Sequence, residues 1–211
     1  MDTLPGIFIT SFIIGLSGAM MPGPVLTVTI GEVARRGFLA GPLIVLGHGV
    51  LEVSLVVAIV LGFGRILVLD SVVGAIGLVG GLVLLLMGGG MLKSVKGLTL
   101  SLEDKGGGKG NHPVVAGILT SLSNPYWTIW WATIGLSYIA LSQKMGFLGL
   151  VSFYVGHILS DLGWYGLVAA ALSSGRRLMT DSVYRGLIAF CGLLLLGFGL
   201  YFGYSGLKYL L

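Results

Sequence analysis

Long apolar stretches, each of a length that crosses a lipid bilayer, follow one another along this chain. They lie near residues 6–30, 42–64, 71–92, 114–140, 147–172 and 184–208. Only 9% of the residues are charged, whereas soluble domains carry about 25% charged residues. Because a crossing helix needs about 20 apolar residues, the 211 residues allow six spans and leave no room for a folded soluble domain. The sequence therefore predicts an all-α integral membrane protein.

One short signature occurs twice, once in each half of the chain. His48 and Glu52 lie four residues apart, and so do His157 and Asp161. The two histidines are 109 residues apart (157 minus 48), as are the two acids (161 minus 52). Residues four apart share a helix face, so each histidine can hydrogen-bond to the acid of its own half. Ionisable side chains cost about 2.5–3.5 kcal/mol each at the bilayer centre, so matched pairs indicate function rather than packing.

This duplication divides the chain into two halves of three predicted spans each. We expect repeat 1 at 1–95, a charged glycine-rich linker at 96–113 and repeat 2 at 114–211. Because three is odd, the second half must enter the bilayer from the opposite side. The predicted fold is six transmembrane helices arranged as two inverted three-helix repeats, with broken first and fourth helices. Many secondary transporters are built in this way.

Basic residues near the span ends predict the orientation. One side collects Arg35, Arg36, Lys93, Lys96, Lys105, Lys109, Arg176, Arg177 and Arg185, and the other has Arg65, Lys144 and Lys208. Positive charge favours the cytoplasmic side, so we expect a cytoplasmic linker and both termini outside the cell membrane. The scattered basic residues indicate orientation rather than a nucleic-acid partner. The first 20 residues contain no Lys or Arg, which favours a retained span over a cleaved signal peptide.

Proline and glycine interrupt the first and fourth predicted spans near their middles. The first contains Pro22-Gly23-Pro24, and the fourth contains Asn124-Pro125, where Asn124 is expected to cap a new helix. Unwound backbone is tolerated inside a membrane only where it is buried in protein or lines a cavity. The helix N-terminus beyond such a break attracts carboxylates. Paired breaks in corresponding spans therefore point to a transporter's binding site.

These features resemble the LysE/RhtB-type amino-acid exporter family over nearly the whole chain. The resemblance is carried by Pro22-Gly23-Pro24, the Arg35-Arg36-Gly37 turn, the segment from Gly47 to Glu52, the charged linker and Asn124-Pro125. It implies a secondary carrier of the inner membrane that exports amino acids or similar small molecules and is driven by an ion gradient. The family's acidic positions in the second and fifth spans fall on Glu52 and Asp161. His48 and His157 are atypical of the family, and Tyr126 stands where many members have lysine.

The sequence thus predicts a proton-coupled exporter of amino acids, with basic ones such as lysine and arginine among its candidate cargoes. We expect Glu52 and Asp161 to line a central cavity, bind the substrate's ammonium group and exchange protons with His48 and His157. The two helix breaks would receive the carboxylate, and Trp127 would form part of the cavity wall. No cofactor is expected.

Two other functions stay open at this point. Two histidines and two carboxylates that converged would suit a divalent metal ion, so the chain could export metal instead. An intramembrane enzyme is disfavoured, since the sequence has no His-Glu-x-x-His, Gly-x-Ser-x-Gly or phosphate-loop motif. The lone Cys191 excludes a disulfide within the chain. Pairing of two copies into a homodimer is also left open.

Overall fold

Helices joined by short turns make up the described chain. The computed structural model describes residues 3–21, 23–97, 111–175 and 180–211, and no strand occurs among them. Pro22, most of the 96–113 linker, and Arg176 and Arg177 lie outside the described residues. A helical architecture follows from the bilayer, because each backbone polar group must find its partner within the protein.

Four helices within the described ranges are long and apolar enough to cross a membrane. They are α3 (Ala40–Val60), α4 (Asp70–Ser94), α8 (Gly146–Gly175) and α9 (Asp181–Leu210). Their bounds match the spans expected near 42–64, 71–92, 147–172 and 184–208. Short 3-10 helices at Phe63–Val68 and Val95–Gly97 flank α4. The apolar pattern was therefore sufficient to locate these four helices.

The first predicted span consists of two helices with a sharp bend between them. Helix α1 (Leu4–Ala19) and helix α2 (Pro24–Arg36) are inclined by 76°, and together they are apolar enough to count as a fifth span. Pro24 is the first residue of α2, where its missing N–H costs no hydrogen bond. Helix α2 ends at Gly37, whose φ of 85° favours glycine. The predicted break is confirmed, but the helix extends beyond the expected end at residue 30.

The fourth predicted span is interrupted more than once. It comprises α5 (Pro113–Leu122), α6 (Pro125–Trp130), a π-helical turn (Trp131–Gly135) and α7 (Leu136–Gln143). The Asn124 side chain accepts a hydrogen bond from the Tyr126 backbone N–H at 3.1 Å, which confirms Asn124 as the cap of α6. With ten residues, α5 is too short to cross a bilayer alone. Length and composition therefore establish four or five spans, and the sixth depends on how these pieces are arranged.

Glycines allow the helices to approach backbone to backbone. A Cβ on Gly81 of α4 would lie 2.7 Å from the Gly199 carbonyl oxygen of α9. Likewise, a Cβ on Gly47 of α3 would collide with the Val114 carbonyl of α5, and one on Gly117 of α5 with the Ile44 carbonyl. Close contacts through small residues are the usual means of helix association in membranes. They bring α3 and α5 close enough for their side chains to meet.

Helix α8 is held against both α1 and α3 by hydrogen bonds, one of them buried and the other partly buried. The Ser11 hydroxyl of α1 donates to the Phe153 carbonyl at 2.6 Å. The Tyr154 hydroxyl of α8 donates to the Gly49 carbonyl of α3, also at 2.6 Å. These anchors place the histidine and acid of α8 opposite those of α3.

Candidate functional site

The duplicated histidine–acid signature forms one buried cluster where α3 and α8 face each other. His48 Nε2 lies 2.9 Å from Glu52 Oε1 and 3.7 Å from Asp161 Oδ2. His157 Nε2 lies 3.2 Å from the same Glu52 oxygen and 3.8 Å from Asp161 Oδ2. All four residues are buried. The two halves of the sequence therefore contribute to a single site.

This arrangement corrects the expectation that each histidine hydrogen-bonds to the acid of its own half. That expectation holds for His48 and Glu52, but His157 bonds across to Glu52 and lies farther from Asp161. The four-residue spacing places His157 and Asp161 on one face of α8. The packing of α3 against that face brings Glu52 closer to His157 than Asp161 is.

Two indole rings complete the surroundings of Glu52. The Nε1–H groups of Trp127 and Trp131 each donate to Glu52 Oε1 at 3.1 Å. The Trp130 ring stacks on the His157 ring with a centroid distance of 4.8 Å. Trp127 and Trp131 are four apart, so the turn at the start of the π-helical segment presents both to the same oxygen.

Ser121 holds the His48 ring through its Nδ1 atom. The Ser121 hydroxyl lies 2.8 Å from the Gly117 carbonyl and 2.6 Å from His48 Nδ1. When the hydroxyl donates to the carbonyl, its oxygen can only accept from His48, and the bond then uses an Nδ1–H group. This leaves Nε2 as the atom of His48 that can exchange a proton with Glu52.

Buried acceptors without partners remain in the cluster. Glu52 Oε2 and Asp161 Oδ2 have no hydrogen-bond partner in the described part of the chain. Buried polar atoms are nearly always satisfied, so orphaned carboxylate oxygens call for a donor supplied from elsewhere. An ammonium group or a metal cation would meet that need. His48, Glu52 and Asp161 each offer one ligand atom, and the three atoms lie within 4.8 Å of one another.

The cluster lies at the wall of a cavity of about 320 Å³. Eight of the ten residues predicted from the sequence line it: Gly23, Pro24, His48, Glu52, Asn124, Trp127, His157 and Asp161. Pro125 does not line this cavity, although it borders a smaller neighbouring pocket of about 160 Å³. Pro22 lies outside the described residues. The cavity volume is near the lower end of the range for small-molecule sites, about 300–1,000 Å³.

The N-terminus of α2 opens onto the same cavity. Gly23, Pro24, Val25 and Leu26 all line it, and no side chain caps this helix end. The first N–H groups of a helix have no partner within it, and the helix dipole makes that end electropositive. One cavity thus contains a carboxylate pair and a helix end suited to an anion.

Sequence reasoning missed several residues of this site. Trp131, which donates to Glu52, is not among the residues predicted from the sequence. Neither are Ser121, which contacts His48, and Tyr165 of the cavity wall. Trp131 lies four residues after Trp127 and so shares its helix face; this spacing is a signal that could have placed Trp131 in the site. Nothing local to Ser121 or Tyr165 distinguishes them from other helix residues.

Comparison with known proteins identifies the family of this chain. Residues 16–206 match the family described as LysE type translocator. A protein of Bacillus subtilis (strain 168) named "Putative amino acid efflux protein YcgF" is 30% identical over 206 residues, which cover 97% of this chain and 99% of that protein. No solved structure matches the chain significantly. The chain belongs to the LysE type translocator family, and is thus a membrane transporter rather than an enzyme.

Proposed function

We propose that this protein exports amino acids across the cell membrane. The observation that carries the proposal is the single cavity shared by the Glu52 and Asp161 carboxylates and the uncapped start of α2. An amino acid has an ammonium group that can bind the two carboxylates and a carboxylate that can bind the start of α2. The family assignment and the printed name of the B. subtilis relative support the same class of cargo.

Proton exchange at the cluster would couple transport to an ion gradient. His48 Nε2 and Glu52 Oε1 are within hydrogen-bond distance, and the Nδ1 atom of His48 is held by Ser121. An ammonium group that binds Glu52 and Asp161 competes with this histidine contact. Substrate and proton would therefore occupy the carboxylates in turn, which is the requirement for antiport.

Alternating access would come from two inverted three-helix repeats. In this proposal α1 and α2 form the broken first span and α5 to α7 form the broken fourth. The repeat signature supports it, since α3 and α8 contribute equivalent residues to one cluster. The linker would be cytoplasmic and both termini outside.

Counterflow into proteoliposomes tests the proposed function. Vesicles preloaded with an unlabelled amino acid should accumulate the labelled one, because a carrier exchanges the two. Glu52→Gln and Asp161→Asn should each lower the initial rate by about tenfold or more, since each removes a charged partner of the ammonium group. The matched control is Asp70→Asn, which neutralises an exposed acid in the first turn of α4. Equal rates for all three variants and the wild type would refute the proposal.

A divalent cation is the second candidate cargo. It is favoured by the three ligand atoms of His48, Glu52 and Asp161 that lie within 4.8 Å of one another. Nitrogen and oxygen ligands of this kind suit first-row divalent ions. The same vesicles loaded with Mn²⁺ or Zn²⁺ provide the comparison. Metal counterflow without amino-acid counterflow would select this candidate instead.

A further inference from the structure

We propose that the cargo carries an uncharged, apolar side chain, and that basic and acidic amino acids are excluded. This inference rests on the proposed export of amino acids and narrows its substrate class. The sequence alone left basic amino acids open because the site contains two acids. Two features of the structure disfavour basic cargo: the two acids lie together, and the rest of the cavity wall is largely apolar.

The two carboxylates form one cation site rather than two. Ligand atoms of Glu52 and Asp161 belong to the same group within 4.8 Å, and both acids contact the same two histidines. Lysine and arginine carry a second cation at the far end of a flexible stem of several carbons. When the carboxylates bind the α-ammonium group, they cannot also reach that distant charge.

Beyond the histidine–acid cluster, the described wall offers no charged partner for a side chain. Glu52 and Asp161 are the only acids among the described residues that line the cavity, and neither Lys nor Arg lines it. The polar side chains Thr133 and Tyr126 are uncharged. Thr133 donates to the Ile129 carbonyl at 2.8 Å and the Tyr126 hydroxyl bonds to the Tyr201 hydroxyl at 3.2 Å, so each offers at most a neutral acceptor oxygen. A basic side chain would therefore be buried here without a carboxylate to neutralise it.

Apolar surface faces the cavity instead. Its lining includes Leu26, Ile129, Trp130 and Ile134. Ile129 and Ile134 are 40% and 37% exposed, so part of each side chain is free to contact a bound molecule. Burial of apolar substrate atoms against these groups is favourable, whereas an unpaired charge at the same place is costly.

Counterflow with a panel of labelled amino acids tests the inference on the wild-type protein. Leucine and methionine should exchange faster than lysine, arginine and glutamate by about tenfold or more, because an unpaired buried charge costs at least that factor in binding. Lysine or arginine exchange as fast as leucine would overturn the inference while leaving amino-acid export intact. Absence of exchange for every amino acid would refute the proposed export function and this inference with it.

A gain-of-function variant tests the physical reason. Thr133→Asp adds an acid to the cavity wall at an exposed position, and should raise lysine counterflow by about tenfold. Its matched control is Thr133→Asn, which has the shape of the aspartate variant without the charge. The ratio of lysine to leucine counterflow should rise in Thr133→Asp relative to Thr133→Asn, and the melting temperature in detergent shows whether both variants are folded. If Thr133→Asp exchanges leucine but gains no lysine exchange, the missing acid is not what excludes basic cargo.

Discussion

At the scale of single residues, Glu52 organises the site. Its Oε1 atom is within 3.2 Å of nitrogen atoms from His48 of α3, from Trp127 and Trp131 of α6 and the π-helical turn that follows it, and from His157 of α8. Its Oε2 atom has no partner among the described residues. One oxygen thus holds the helices together, and the other is left for a ligand. The sequence identified Glu52 and placed Trp127 in the cavity wall, but it did not predict that Trp127 and Trp131 donate to Glu52.

Ser121→Ala tests whether the orientation of His48 matters. The change removes the hydrogen-bond partner of His48 Nδ1, and an unpartnered buried group costs about 1–3 kcal/mol. We expect a lower melting temperature in detergent and slower counterflow. The control is Ser54→Ala, since Ser54 is exposed and its hydroxyl bonds to the Val50 carbonyl of its own helix. Identical behaviour of the two variants would contradict the role given to Ser121.

At the scale of elements, close helix contacts position the cluster. Helix α3 meets α5 through Gly47 and Gly117, and this contact brings His48 to Ser121. Helices α4 and α9 pack through glycines along their length. The high glycine content, 37 of 211 residues, favours a tight bundle of this kind. Which glycines lie at contacts could not be predicted, because many of them face open space.

Two glycines of α4 provide a matched test of this packing. A Cβ on Gly81 would lie 2.7 Å from the Gly199 carbonyl oxygen, whereas one on Gly89 would meet nothing within 4 Å. Overpacking costs about 1–3 kcal/mol, so Gly81→Ala should lower the melting temperature in detergent. Gly89→Ala should be neutral or slightly stabilising, because alanine favours a helix. If Gly89→Ala lowered the melting temperature and Gly81→Ala left it unchanged, the result would contradict the packing of α4 against α9.

At the scale of the whole molecule, the question is how two related halves enclose one cavity. Equivalent residues of α3 and α8 face each other in the cluster, although 109 positions (157 minus 48) separate them in the chain. Two halves of opposite orientation would present such residues to each other near the bilayer centre. In the proposed mechanism, this inverted arrangement would let the cavity open first to one side and then to the other.

Fusion of reporters tests the proposed topology. A green fluorescent protein at Leu211, which fluoresces only when it folds in the cytoplasm, should stay dark because the C-terminus is expected outside. The same reporter inserted at residue 105 of the linker should fluoresce. A periplasmic phosphatase at each position should give the opposite pattern. A fluorescent fusion at Leu211 would overturn the predicted orientation, and fluorescence at both positions would overturn the inverted arrangement of the two repeats.

The sequence by itself determined the helices and the residues that carry charge. Hydrophobicity, proline and glycine act locally, so spans such as α8, the break before Pro24 and the cap at Asn124 could be predicted from their own neighbourhoods. The repeated histidine–acid spacing identified candidate groups in the same way.

Only the tertiary structure decided which of these groups meet. The bond from His157 to Glu52 and the indole donors of Trp127 and Trp131 join segments that are 75 to 105 residues apart in sequence. Such contacts depend on how far each helix is rotated and where it crosses its neighbours, which no local spacing specifies. The apolar side-chain wall of the cavity arises from the same crossings, and it is this wall that shifts the proposed cargo from basic to uncharged amino acids.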